Sequence, residues 1–462
     1  EGKRFYAYGC HHPGFPDDPI GPWIYDTNRN EEVVAPGSLK EDGTPFTLWD
    51  VGFTYCQNWE MSWTFNFSSD IEKLKWWKDH WEARSLVWAY WGRGKIYRPW
   101  FHTPWPAKKY LNEMCIKMID EEPNFFEKLA AKNAERAKRA HEAGLLFSIE
   151  SGLPAYHQAL YENIPPWEWK LGHSWQRNDA KQVRDIIRGV LKNDPYHTVG
   201  GWYVLDEGGA GQDIYDQDNV AREEDKLHPL MLLGELNALH GPVDIGCDQI
   251  ASDCNPTKYT RRYNTLFTWG LHHRSVTAPH GGSVICCHRA ADEKNAVDQS
   301  LDTLWTYELT AMMTGVNGSM LYTWKEDGRP IRPYGSGWSF TRPRELAEII
   351  RRIKTIEPYF LNGMGTMAKS RNGFVRARIC GDKAKAGEIL MLANFERFEK
   401  TSVKLHIPEL AGKTLEPMFE KDAKPIAVDA KGDFEVEFEP DVSRVMKVEE
   451  VEKVEEVENG RI

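Results

Sequence analysis

Two adjacent carboxylates, Asp206 and Glu207, end the apolar run Trp202-Tyr203-Val204-Leu205 and are followed at once by Gly208 and Gly209. An aromatic and β-branched run that stops at acids and then at glycines has the pattern of a buried strand delivering charged groups to its carboxyl end before a sharp turn. Two carboxyl groups near one another can divide acid–base work, one giving a proton to a departing oxygen while the other attacks or activates water. The competing reading is a strand edge with two solvated acids. What decides between them is what the rest of the chain places around the pair.

Other apolar runs end in the same way. FYAYGC (5–10) leads to His11 and His12, SLVWAYWG (85–92) carries Trp91, and LLFSIE ends at Glu150. PVDIGCDQ ends near Asp248, and YNTLFTWGL, with Trp269, leads to His272 and His273. GGSVICCHRA runs into Asp292 and Glu293, and GSMLYTW carries Trp324 with Glu326 close behind. With the run before Asp206 as the fourth, these are eight strand candidates.

Helical spacing separates most of them. It is clear in 70–84, 127–143, 179–192 and 344–356, and weaker around 227–239 and 297–314. Strands alternating with helices over most of the first 360 residues fit an α/β fold of the (β/α)8 TIM-barrel type with long aromatic loops. In such a barrel the carboxyl ends of the strands form one mouth, so every residue named above would face a common cavity. Neither GxGxxG nor GxxxxGK[ST] opens a helix, which weakens a nucleotide reading.

From about Gly363 the pattern changes to short alternating runs separated by Gly, Pro and Asp: FVRARIC, EILMLANF, TSVKLHI, FEVEFE and RVMKVEE. That is a small antiparallel β-sandwich. The expected organisation is therefore a barrel over 1–360, a sandwich over 361–449 and an acidic tail over 450–462.

Composition narrows the partners. The 462 residues include 19 Trp and 18 Tyr, flat amphipathic rings that suit either a large core or a ligand that stacks on them. A formal net charge of -11 argues against a nucleic-acid or anionic-membrane surface. No apolar run approaches the roughly 20 residues of a membrane helix. The 8 cysteines form no CxxC pair, so they read as scattered, buried thiols. Because the sequence opens on Glu1, export after removal of an N-terminal segment is the expectation for location.

Several carboxylates and indoles at one mouth suit cleavage of glycosidic bonds, since sugar C–H faces stack on aromatic rings while hydroxyls need fixed donors and acceptors. The strand ending in an acidic pair after GWY, the GxxGSMLYTW form of the last barrel strand, and the all-β C-terminal region together resemble the retaining (β/α)8 glycoside hydrolases of the large clan that carries its acid/base glutamate after strand four. The resemblance implies that Glu207 is the acid/base. Asp206 stands where that clan keeps an Asn, and no Glu closes the seventh strand, where its nucleophile sits.

The second carboxylate therefore has several candidates: Asp206 itself, as in barrel glycosidases with a nucleophilic Asp after strand four, Asp248, and Glu293 with its neighbour Asp292. Adjacent strand residues point to opposite sides, so Asp206 and Glu207 share the pocket only if the strand has already broken at that point. His11, His12, Trp91, Glu150, Trp269, His272, His273, Trp324 and Glu326 are the substrate-binding candidates. With Arg274, Arg289 and Lys325, the histidines suit sugar hydroxyls or the anionic groups of an acidic glycan. No cofactor and no metal is expected: HH replaces the HxH of metal-dependent barrel hydrolases, and strand four has no Lys. A carbohydrate-binding barrel without chemistry is the alternative from another class.

Overall fold

The computed structural model describes residues 5–11, 23–26, 31–34, 39–44, 46–58, 125–150, 180–205, 219–233, 244–251, 259–280, 282–288, 291–292, 297–298, 300–321, 343–381 and 388–450. In chain order its strands and helices are β1 (Ala7–His11), β2 (Trp23–Asp26), β3 (Glu31–Val34), α1 (Leu48–Val51), β4 (Tyr55–Asn58), α2 (Phe125–Glu142), β5 (Leu146–Glu150), α3 (Ala180–Asn193), β6 (Gly201–Leu205) and β7 (Leu230–Leu233). Then come β8 (Ile245–Ala251), α4 (Tyr259–Thr277), β9 (Ser283–His288), β10 (Ala291–Asp292), β11 (Val297–Asp298), α5 (Leu301–Thr314), β12 (Gly318–Leu321) and α6 (Pro343–Asn362).

Eight parallel strands close into a barrel in the order β1-β12-β9-β8-β7-β6-β5-β4. Closure is direct: β1 pairs with β12 on one side and with β4 on the other. The fold is the (β/α)8 barrel expected, with three changes of assignment. The second barrel strand is Tyr55–Asn58, which pairs with both β1 and β5, and 85–92 lie outside the described residues. The fifth is Leu230–Leu233, inside a segment whose spacing suggested a helix, which makes Ile245–Ala251 the sixth. YNTLFTWGL is no strand at all, because it lies within the 19-residue helix α4. Short apolar runs do not distinguish a buried strand from a buried helix; length does.

Inside the barrel, Ala7, Tyr55, Met231, Ile285 and Met320 form one cluster, with Leu146 and Ile245 against it. The Tyr55 hydroxyl lies 2.6 Å from Ser148 Oγ and 2.8 Å from Met231 Sδ, so the centre is filled rather than open. Gly9 is required here: a Cβ at that position would lie 2.4 Å from the Tyr55 carbonyl oxygen. The alternate residues Tyr6, Tyr8, Phe147, Ile149, Trp202, Val284 and Cys286 belong to the larger cluster outside the barrel.

Helices cover that outer face. In α2, Ala130, Ala134, Ala137 and Ala140 are buried and let α3 approach closely, with Gly189 facing Ala130. Helix α5 is capped by Ser300, whose hydroxyl accepts from the Thr303 N–H at 3.0 Å, and it ends at Gly315 with φ +84°. Residues 303–314 of α5 are all buried because the barrel packs on one side and the C-terminal sheets on the other.

The C-terminal region has two antiparallel sheets. One holds β13 (Met364–Lys369), β14 (Val375–Cys380), β15 (Ile389–Asn394), β20 (Arg444–Glu450), β17 (Lys413–Pro417) and β18 (Ile426–Ala427), in that order. The other pairs β16 (Thr401–His406) with β19 (Asp433–Phe438). Their inner faces share one core, in which Leu390 and Leu392 meet Val403, Leu405, Val436 and Phe438. This is a sandwich. The opposite side of β15, with Ile389, Met391 and Ala393, joins the core that contains α5. Cys286 and Cys380 are buried thiols outside any disulfide.

Candidate functional site

The chain direction of the eight strands places their carboxyl ends on one rim, formed by His11, Asn58, Glu150, Leu205, Leu233, Ala251, His288 and Leu321. Three candidates from the sequence lie on strands at or near this rim. His11 ends β1, Glu150 ends β5, and Asp248 is the fourth residue of β8. Asp206 and Glu207 follow Leu205, the last residue of β6, which is the fourth barrel strand as expected. Asp206, Glu207, His12, Trp91, Glu293, Trp324, Glu326, Arg289 and Lys325 lie outside the described residues.

Register relates the strands. His11 pairs with Gln57 and Gln57 with Ser148, while Glu150 pairs with Tyr203. His11, Gln57 and Glu150 each stand two residues beyond a position that belongs to the barrel centre: Gly9 against Tyr55, Tyr55 itself, and Ser148 on its hydroxyl. Gln57 was not among the sequence candidates. It was missed because the aromatic segment around Tyr55 reads as loop, and only pairing with β1 and β5 identifies it as a strand.

Two barrel strands lose step with their neighbours near the rim. Between Tyr203 and Leu205, β6 advances by two residues while β7 advances by one, from Met231 to Leu232. Between Asp248 and Ala251, β8 advances by three while β9 advances by two, from Cys286 to His288. Each shift inserts one extra residue, and in both cases the longer side is the strand that bears or leads into carboxylates. An extra residue of this kind locally breaks the ladder and increases the twist of the strand that carries it.

Three sequence candidates are corrected. Trp269, His272 and His273 sit on α4, not at a strand end. This helix returns from the rim toward the start of β9, where Thr277 O accepts from the Gly282 N–H at 3.1 Å. The three residues therefore lie in the half of α4 that leads away from the rim. His273 is wholly buried, with its ring 5.6 Å from that of Trp269. Arg274 donates to the Gly282 carbonyl at 3.1 Å, which assigns it to the same end. The segment after β9 also differs from expectation: β10 and β11 form a small antiparallel hairpin, with Asp292 opposite Val297, and the following helix starts only at Leu301.

The base of the fourth strand is held by a buried polar cluster. The Trp202 indole N–H donates to Asp225 Oδ2 at 2.7 Å, and His228 Nδ1 lies 2.5 Å from the same oxygen. Asp225 Oδ1 accepts from the backbone N–H groups of Leu227 and His228 at 2.8 and 3.3 Å. Burial pushes this carboxyl's pKa upward, but the bonds from Trp202, His228 and Leu227 outweigh it and hold it below its ordinary value. Among the described residues, no group of three or more His, Cys, Asp or Glu is arranged to hold a metal ion, and no helix is long and apolar enough to cross a membrane.

No family model and no curated protein matches the chain. Among solved structures, it is similar to a maltogenic α-amylase from Thermotoga neapolitana, with 14% identity, a TM-score of 0.46, and coverage of 68% of this chain and 80% of that one. It is also similar to an endo-β-1,4-mannanase from Thermotoga petrophila, with 12% identity, a TM-score of 0.44, and coverage of 95% and 92% respectively. A third is a glycoside hydrolase family 5 protein from Bacteroides vulgatus, with 11% identity, a TM-score of 0.45, and coverage of 98% and 96%. The barrel itself is established by the strand pairing.

Proposed function

We propose that this chain is a glycoside hydrolase that cleaves an oligo- or polysaccharide by a two-carboxylate mechanism with retention. Glu207 is the acid/base. As an acid it gives its proton to the glycosidic oxygen while a second carboxylate attacks the anomeric carbon, so that the C–O bond to the leaving sugar breaks as a glycosyl ester forms. Glu207, now ionised, takes a proton from water, which displaces the ester and restores both groups. The second carboxylate is drawn from Asp206, Asp248 and Glu293. His11, Glu150, Trp324 and Glu326, with His12 and Trp91, supply hydroxyl contacts and stacking. An anionic glycan fits the rim histidines and the strand-end Arg289 and Lys325.

The observation that carries this reading is the pair of register shifts. They fall at the rim of β6, which leads into Asp206 and Glu207, and of β8, which contains Asp248. Irregular pairing at a barrel rim re-aims side chains, and it is concentrated beside active sites. Incubation with a panel of α- and β-linked glycans, with release of new reducing ends as the readout, tests the reading. Glu207→Gln is expected to lower turnover by roughly 10²–10⁴-fold, the usual contribution of a general acid. Unchanged turnover in that variant refutes the assignment, and glycan binding without any turnover favours the non-catalytic carbohydrate-binding barrel. The anomer first released, read by proton NMR, separates retention from inversion.

A further inference from the structure

Barrel closure brings together two cysteines that lie far apart in the chain. Cys10 of β1 and Cys56 of β4 are register partners, between the pairs Gly9–Tyr55 and His11–Gln57. The register is fixed from below. The Thr54 N–H donates to the Tyr8 carbonyl at 2.9 Å, the Tyr8 N–H donates to the Thr54 hydroxyl at 2.9 Å, and Gly9 is the residue whose missing Cβ admits the Tyr55 carbonyl. A slip by one residue would set Tyr8 or Cys10 against that carbonyl and exchange the two faces of the strand.

Strand alternation places the two cysteines together. Gly9 and Tyr55 belong to the barrel centre, so Cys10 and Cys56, each one residue further on, share the outer face of the ladder. Neighbouring strands run about 4.8 Å apart, which puts paired Cα atoms within the roughly 4.4–6.8 Å that a disulfide spans. The other thiols on the described barrel strands have no such neighbour: Cys247 pairs with Leu233 and Ile285, Cys286 with Asp248 and Ser319, and Cys287 with Met320.

We propose that Cys10 and Cys56 are a redox-active thiol pair, which a small-molecule disulfide closes into a reversible bond between β1 and β4. One thiolate attacks the reagent's sulfur and expels one small thiol; the other attacks the mixed disulfide at the protein sulfur and expels the second. The two protein thiols give up two electrons and two protons, which leave on the two small thiols. The bond braces the first two strands of the barrel beside the rim residue His11, and by closing the loop 10–56 it restricts the unfolded chain. The pair rests on strand register alone and not on the glycosidase reading.

The test equilibrates the full chain in mixtures of oxidised and reduced glutathione at pH 8, in one arm folded throughout and in the other refolded from urea, so that both thiols start accessible. Free thiols are then blocked with N-ethylmaleimide, and linked peptides are mapped by mass spectrometry without reduction. A Cys10–Cys56 peptide is expected, roughly tenfold or more above any other cysteine link because register holds the two thiols at high effective concentration, and lost again as reduced glutathione is raised. Oxidised wild type is expected to unfold at higher urea than the reduced chain, a shift absent from Cys10→Ser and Cys56→Ala.

Absence of the linked peptide from both arms, or links spread evenly among the cysteines, overturns the pair. A linked chain whose urea midpoint equals that of the reduced chain overturns the brace.

Discussion

The indole N–H of Trp202, the second residue of β6, donates to the buried carboxylate of Asp225 at 2.7 Å. The strand that leads into Asp206 and Glu207 is thus fixed at its base by a charged group that also binds His228 and two backbone N–H groups. A carboxylate with its pKa held low in the folded chain stabilises that chain above the unfolded value of about 3.9, and the stabilisation is lost as pH falls through the folded pKa. Asp225→Asn has one carbonyl oxygen where two carboxylate oxygens served, so it turns an amide N–H₂ toward existing donors. It is expected to lose about 1–3 kcal/mol at neutral pH and to show a weaker further loss below about pH 4 than the wild type. Urea unfolding between pH 3 and 7 measures both.

The sandwich is docked through named polar contacts as well as shared core. The Thr303 hydroxyl of α5 donates to Asp441, a non-glycine residue at φ +62°, and the Thr306 hydroxyl donates to the Asp441 carbonyl at 3.0 Å. Thr303→Val leaves the shape of α5 intact but removes a donor from a buried carboxylate. A loss of about 1–3 kcal/mol is expected by chemical denaturation, still in a single transition for barrel and sandwich together. A chain ending at Asn362 would uncover the face of α5 now packed on Ile389, Met391 and Phe395 and is expected to be insoluble.

Cys286 and Cys380 should be chemically silent. Burial pushes the Cys380 thiol up to about 12, far from the reactive thiolate form at neutral pH. Mass spectrometry after iodoacetamide at pH 8 is expected to find Cys380 and Cys286 unmodified in the folded chain and alkylated in urea.

Much of this architecture is written locally. GWYVL followed by Asp-Glu-Gly-Gly marks a barrel strand because burial, strand propensity and the turn agree, and the alternating runs after Gly363 mark a sandwich because one face of each is polar. Tyr55–Asn58 and Leu230–Leu233 were hidden because four residues fix no period; only hydrogen bonds to sequence-distant neighbours make them strands. The same ambiguity placed Trp269, His272 and His273 at a strand end, when they belong to the helix α4. The register shifts in β6 and β8 have no sequence signature, since the extra residue exists only relative to the partner strand.

The role of Glu207 as proton donor is tested most directly by leaving-group dependence. Glu207→Ala should cleave an aryl glycoside with a strongly acidic phenol at close to the wild-type rate for glycosylation, because that leaving group needs no proton, while cleavage of the matching unactivated oligosaccharide falls by roughly 10²–10⁴-fold. Equal losses on both substrates, or none on either, contradict the assignment of Glu207 as the general acid.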